Sequence, residues 1–343
     1  MAYKFNEIKL DKGMYSERGK SFAQVLENLD PSENYKGTAY EGLDAYQRQL
    51  KRFDIKVKGA GSDCVEKFFS TGESSVLFPE YVARSVRTGM EENNIIPSLV
   101  ASVTKIDSLD YRSIYSDVND EDKALREVEE GGEIPTTEVR SASNLVRLIK
   151  RGRMLVASYE AIRFQRLDLF SVMLRQIGSH IAAMHLEDAI EVLMNGDGNE
   201  NAAEILSVGK DPIGGTAGKL SYSELLAFWN QFENYNLNTI LASPAVMLQL
   251  LSCPEFQNPL TGLNFIGTGE PGSPMGAKLI RSNRVPEGKL IGLDRNYALE
   301  MVTAGDVSVE YDRLIDKQLE RAAITSISGF AKLYYDASKV LAV

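Results

Sequence analysis

The stretch Asp168–Asn195, DLFSVMLRQIGSHIAAMHLEDAIEVLMN, decides how the chain folds. Phe170, Leu174, Ile177, Ile181 and Met184 recur at four- and three-residue steps, the spacing of one helical stripe. Leu186, Ala189, Ile190 and Leu193 carry the apolar face onward, and Asn195-Gly196-Asp197-Gly198 supplies residues that accept left-handed backbone and stop a helix. Asp168 is placed to cap the start. At about 1.5 Å per residue the helix is a rod of roughly 40 Å, close to the ~50 Å breadth of a compact globule of this chain length. The spacing therefore predicts a spine on which the other segments hang.

Upstream, Leu77-Phe78-Pro79-Glu80 opens a helix to about Glu92, with Pro79 suited to the first turn and Glu80 to the positive end of the dipole. Strand character begins at Leu99–Thr104. Residues 109–116 (LDYRSIYS) alternate as a strand, 117–122 form a polar loop, 125–134 (LREVEEGGEI) are acidic and glycine-punctuated, and 145–156 (LVRLIKRGRMLV) return as a β-rich run of roughly 40 Å. Arg147, Arg151 and Arg153 share the parity of Leu145 and Ile149, so neither face of this run is clean enough for a core. A two-stranded ribbon is marginal alone. The two runs are therefore expected to project from the body and lie on another copy.

Residues 1–75 are polar and broken by Asp30-Pro31, Lys36-Gly37, Gly59-Ala60-Gly61 and Thr71-Gly72, with one helix at Leu43–Phe53; they read as an extended arm too poor in apolar residues to bury itself. Downstream of the spine the pattern gives a helix at 222–232 capped by Ser221, a strand at 239–242, a helix at 244–251, and a long Gly/Pro-rich surface loop at 258–276. Strands at 277–281 and 289–293 flank a turn at 286–288, and two long strands run between Val307 and Tyr335. A short helical piece is expected at 158–163.

The 343 residues exceed one ordinary domain, and 43% hydrophobic with 25% charged residues is the balance of a soluble globular protein. No window reaches the apolar length of a membrane span, and the first residues lack a signal-peptide core. A net charge of −10 argues against a dedicated nucleic-acid binder. Cys64 and Cys253 match no paired metal or disulfide spacing. His180 and His185, the only histidines, are five apart and so about 140° out of register on a helix, which excludes a shared metal and leaves no relay for a catalytic triad. Gly267–Gly272 does not open a helix as a phosphate loop does, and Asn195–Asn199 lacks the closing ligand of a calcium loop. No enzyme, cofactor or metal site is expected. The acidic group Glu127, Glu129, Glu130 and Glu133 and the basic run Arg147–Arg153 occupy opposite ends of the ribbon, so copies laid head to tail would match opposite charges, a heterologous contact that closes into rings.

With LFPEYV at 77–82, EEGGEIPTTEV at 129–139, LEDAIEVLMNGDG at 186–198 and a closing strand pair that ends in the short tail YYDASKVLAV at 334–343, the chain resembles the major capsid proteins of tailed bacteriophages, whose Hong Kong 97-type fold is shared with the encapsulin compartments. The resemblance runs from about Ser75 onward. It implies an α+β fold divided into an N-terminal arm (1–75), a peripheral domain (76–104, 158–205 with the spine, and 305–343), an extended β-hairpin loop (105–157) and an apical domain (206–304). It further implies a virion shell subunit, assembled in the bacterial host cytoplasm as hexamers and pentamers of an icosahedral capsid around double-stranded DNA that is contacted non-specifically. The alternative within this architecture is an encapsulin enclosing enzyme cargo. Partners are further copies of the chain, with portal, scaffold or protease and decoration proteins of the same phage; no membrane is involved. Subunit contacts are expected at Glu129, Glu130, Gly131, Gly132 and Glu133 of the loop, at Arg147, Arg151 and Arg153, and at Asn258, Gly262, Gly267 and Gly269 of the apical loop. Two departures stand out: Asn199–Leu206 replaces the Pro-x-Gly-Ile turn common after GDG, and no Lys–Asn pair matches the crosslinking residues of some members, so no crosslink is expected.

Overall fold

The computed structural model describes residues 4–17, 20–92, 94–108, 110–115, 140–141, 144–158, 160, 164–261, 263, 269, 271–305, 307–314, 316 and 318–343. The loop and acidic run expected over 117–134, and most of the helical piece at 158–163, lie outside these residues. The chain divides into two compact units, Met1–Asn94 with Lys150–Ala182 and Gly305–Ile327, and Ile95–Ile149 with Ala183–Ala304 and Ser328–Val343.

In the first unit the expectation of an extended arm does not hold. Three helices, α1 (Phe22–Leu29), α2 (Ala45–Arg52) and α3 (Gly72–Ser75), are joined by 3-10 turns. Ser21 and Asp44 open α1 and α2 through reciprocal capping boxes with Gln24 and Gln47. The few apolar side chains suffice because they converge: Leu10, Phe22, Leu26, Tyr46, Leu50, Ile55, Val65 and Phe68 share one core with α4 (Phe78–Glu92) and with Leu167, Phe170, Leu174 and Ile177. The composition also hides a buried ion pair. Arg48 Nε donates to Asp30 Oδ2 at 2.6 Å, its other nitrogens reach the carbonyls of Asp30 and Leu43, and the Tyr35 ring lies 4.2 Å from the guanidinium. Burial of such a pair is tolerable because these hydrogen bonds replace its water.

The spine, α5, spans Leu167–Asn195. Asp168 is therefore in its first turn rather than at the cap, where its Oδ1 accepts from Leu169 N at 2.8 Å. Gly89 of α4 and Gly178 of α5 set how closely the two helices pack. A Cβ on Gly89 would stand 2.0 Å from the Arg175 carbonyl oxygen, and one on Gly178 2.0 Å from that of Val86. Phe170 stacks on Phe78 and Tyr81 with centroids 6.2 and 6.5 Å away, and Tyr81 OH donates to Leu167 O at 2.5 Å.

The ribbon expected from 109–116 and 145–156 is also corrected. The returning strand, β4, runs Ile149–Ser158 and pairs with β11 (Leu319–Lys332), whose Leu319–Thr325 also pairs antiparallel with β10 (Ser308–Leu314). Leu155 packs on the core that contains Ile324, and Gly152 admits Thr325 so closely that a Cβ would meet its methyl at 2.8 Å. This tertiary anchoring overrides the mixed pattern of the strand.

In the second unit Leu186, Ala189, Ile190 and Leu193 of the spine pack with Ile96, Leu99, Leu299, Met301 and Phe330. Strand β1 is Ser102–Ile106, later than expected because Ile96–Ser98 forms a 3-10 turn around Pro97. It pairs in parallel with β9 (Leu299–Ala304), which pairs antiparallel with Ser328–Lys332. A second sheet has the order β5 (Glu204–Ser207), β12 (Ser338–Ala342), β8 (Lys289–Leu293), β6 (Thr239–Ala242), β7 (Lys278–Arg281). The two strands flanking the 286–288 turn are thus separated by β6, and the residues read as a tail supply an inner strand with Val340 and Leu341 fully buried. Helices α6 (Tyr222–Trp229), α7 (Pro244–Leu251) and α8 (Pro254–Gln257) bury Leu225, Phe228, Val246, Leu250 and Phe256 in the core that includes Ile240 and Leu290.

Candidate assembly interface

The face of β9 opposite the spine carries the root of the extended loop. Alternation sends Leu299 and Met301 to the core and Glu300 and Val302 to the other side. There Val146, Val302 and Ala331 form a small cluster with Ile106, Tyr111 and Leu148 packed on it. The returning chain crosses at Gly329, where a Cβ would stand 2.5 Å from Arg147 O. Outgoing and returning limbs are joined by Val146 N donating to Tyr111 O at 2.8 Å, and further out by β2 (Ile114–Tyr115) pairing with β3 (Arg140–Ser141). Glu300, only 5% exposed, accepts from Thr104 Oγ1 at 2.5 Å, Tyr111 OH at 2.8 Å and Ser113 Oγ at 2.6 Å. Burial first, then the hydrogen bond and charge of Glu300, push the Tyr111 phenol above its ordinary pKa.

The spine's exit is a second polar node. Gly196 N donates to Val192 O, closing the helix, and Asp197 Oδ2 accepts from Lys332 N at 3.0 Å while its Oδ1 accepts from Asn199 N and Nδ2. Asn144, on the returning limb, donates from Nδ2 to Gly198 O at 2.6 Å and from its backbone to Asn199 Oδ1 at 3.1 Å. Lys332 is buried and its Nζ lies 3.4 Å from Leu193 O, in the last turn of the helix, where the dipole favours a cation. Burial nevertheless lowers its pKa to about 8, opposed by Asp197 and Asp336. The carboxylate of the GDG turn is thus engaged by backbone donors, and among the described residues no group of His, Cys, Asp or Glu is arranged to hold a metal. His180 is exposed and His185 buried, on different sides of the spine.

Of the expected contact residues, Glu129, Glu130, Gly131, Gly132, Glu133, Gly262 and Gly267 lie outside the described residues. Arg151, half-buried, and Arg153, exposed, share β4, whereas Arg147 is exposed on the crossing segment before it. Asn258, exposed, follows α8 and turns the chain, its Oδ1 accepting from Leu260 N at 3.0 Å. Gly269 is exposed with φ 72°. What the sequence reading did not single out is Glu300 with its three hydroxyls. The signal was a lone charge between Leu299 and Met301 in an apolar strand. Uncovered apolar side chains stand on several elements: Leu169, Val172 and Met173 on the spine, Met154 and Val156 on β4, and Leu248 and Leu260 in the second unit. No described helix is long and apolar enough to cross a membrane.

A sequence model of the phage capsid protein family matches residues 142–330. Among solved structures, the capsid of a native gene transfer agent (GTA) particle is similar at 14% identity over 71% of this chain and 88% of its own, TM-score 0.51. The capsid of the cyanophage P-SCSP1u is similar at 12% identity over 71% and 86%, TM-score 0.51. No curated protein matches significantly. The α+β Hong Kong 97-type capsid fold is the one present, and the family match does not favour the encapsulin alternative. The chain belongs to the phage capsid protein family and is a structural subunit of a phage shell.

Proposed function

We propose that the chain assembles as hexamers and pentamers into a closed icosahedral shell around double-stranded DNA, in the host cytoplasm. The observation that carries this reading is uncovered apolar surface on otherwise well-packed units: Leu169 at 62%, Met154 at 54% and Leu260 at 92% exposure. Leu169 is one of three exposed apolar residues, with Val172 and Met173, at i, i+3 and i+4 on one face of the spine, and a contiguous apolar face of that kind marks a contact surface; in a shell subunit the occupant is another copy. A division into N-terminal segment (1–75), packed with α4 rather than extended, peripheral domain, extended loop and apical domain is proposed, with the loop's return ending before β4 begins at Ile149. The extended loop lies on a neighbour, its Glu129, Glu130 and Glu133 meeting Arg147, Arg151 and Arg153 of the next copy. Asn258, Gly262, Gly267 and Gly269 line the contacts around the capsomer axis. Portal, scaffold or protease and decoration proteins complete the particle, and DNA is held without sequence preference.

Electron microscopy of the purified protein tests this reading. Closed shells tens of nanometres across are expected, and a monomer that persists at every salt and protein concentration would overturn it. Reversing Arg147, Arg151 and Arg153 to Glu is expected to lower shell yield at low salt; unchanged yield would remove the charges from the account.

A further inference from the structure

Glu300 is an expensive residue for its position. It lies in an inner strand between side chains that are 0% and 8% exposed, Leu299 and Met301, and a carboxylate withdrawn from water there costs several kcal/mol unless its oxygens are satisfied. An apolar residue would serve the fold of the strand as well or better. The carboxylate gathers three hydroxyls from one stretch of chain: Thr104 on β1, and Tyr111 and Ser113, which lead into the extended loop. The same Tyr111 holds the returning limb through its carbonyl, and Gly329 seats that limb on the sheet. Both limbs are therefore referred to the rigid β9–β11 pair through a few directional bonds, whereas the apolar cluster beneath them, Val146, Val302 and Ala331, is small.

We propose that Glu300 is a positioning residue for assembly: by fixing Thr104, Tyr111 and Ser113 it sets the direction in which the extended loop leaves the subunit. The inference rests on the reading that this loop contacts a neighbouring copy. Leverage makes the direction matter. Any tilt at the root displaces more distant parts of the loop in proportion to their distance from it. Multiply hydrogen-bonded anchors give one geometry where apolar contacts tolerate several.

The test uses three full-length variants and two readouts, chemical unfolding of dissociated subunits and the diameter and yield of closed shells by electron microscopy. The double variant Tyr111→Phe with Ser113→Ala leaves Thr104 on Oε1 but takes the Ser113 hydroxyl from Oε2, so it is expected to unfold at a lower denaturant concentration, while closed-shell yield per folded subunit falls at least ten-fold in favour of open or irregular assemblies. Glu300→Gln retains Oε1 as acceptor for Thr104 and Tyr111 and presents its amide to the Ser113 oxygen, so wild-type shells are expected. Shells of normal diameter and yield from the double variant would overturn the proposal, as would a yield that falls only in proportion to lost subunit stability. The third variant, Glu129, Glu130 and Glu133 reversed to Lys, leaves the root intact. If it assembles normally at low salt while the double variant does not, the charge contact at the loop's tip fails and the positioning role stands; if neither variant is impaired, both fail.

Discussion

The two halves of the spine helix both bury apolar side chains on their inner faces, but only the first also brings backbone against backbone, and they finish their outer faces differently. Leu167–Ala182 packs backbone against backbone through Gly89 and Gly178, and leaves Leu169, Val172 and Met173 uncovered outside. Ala183–Asn195 packs aliphatic side chains, Leu186, Ile190 and Leu193, and its outer face carries Glu187, paired with Arg284 at 2.9 Å, and Glu191. An outer face of paired charge is complete in one subunit. An outer face of leucine, valine and methionine at helical spacing is complete only when something covers it. In the assembly proposed above, the leading half is where the fold of one subunit and the construction of the shell meet, while the trailing half serves the subunit's own fold through the polar node at Asp197, Lys332 and Asn144.

The comparison breaks first at the glycines. Gly178→Ala would place a methyl 2.0 Å from a backbone oxygen that no rotamer can clear, so the helices must part. A loss of about 4 kcal/mol or more is expected in urea unfolding of dissociated subunits, or no folded protein at all. In the trailing half Leu193→Ala removes a fully buried side chain, and should cost about 3 kcal/mol by the same measurement.

A titration sharpens the contrast. With the folded pKa of Lys332 near 8 and an ordinary value of 10.5, the unfolded chain binds more protons than the folded one across that window. This lysine's contribution to stability therefore rises as pH climbs from 8 to 10.5 and is lost as pH falls through 8. Comparing wild type with Lys332→Met at pH 7.5 and pH 10 should show a rise of about 2 kcal/mol in the former that the latter lacks. The smallest effect is expected outside: Leu169→Ala should change subunit stability by no more than about 0.5 kcal/mol, yet reduce shell yield.

Much of this was legible in local pattern. The spine, α4, β6, α7, β10 and β11 follow from periodicity, Pro placement and glycine stops, because each carries its own amphipathic signal. The N-terminal fold was not, since its core is assembled from single residues on short pieces and is organised by Arg48, which reads as a surface charge until Asp30, Leu43 and Tyr35 surround it. The Ser21–Gln24 and Asp44–Gln47 capping pairs were the local signal available. Ser338–Ala342 is too short to declare itself a strand, and becomes one only because Glu204–Ser207 and Lys289–Leu293 lie on either side. At the loop's root Glu300 was visible as an anomaly, but the three hydroxyls it serves are brought to it by pairing between strands nearly two hundred residues apart, as the Ser102–Glu300 register shows.

The most direct test of the two-halves account is oxidative footprinting of methionines on the same helix. Met173, 44% exposed, and Met194, 8% exposed, serve as reporter and internal control. In dissociated subunits Met173 should oxidise readily and Met194 slowly, and in closed shells Met173 should become protected while Met194 is unchanged. Met173 oxidising equally fast in shells and free subunits would contradict the claim that the leading half of the spine is finished by another copy.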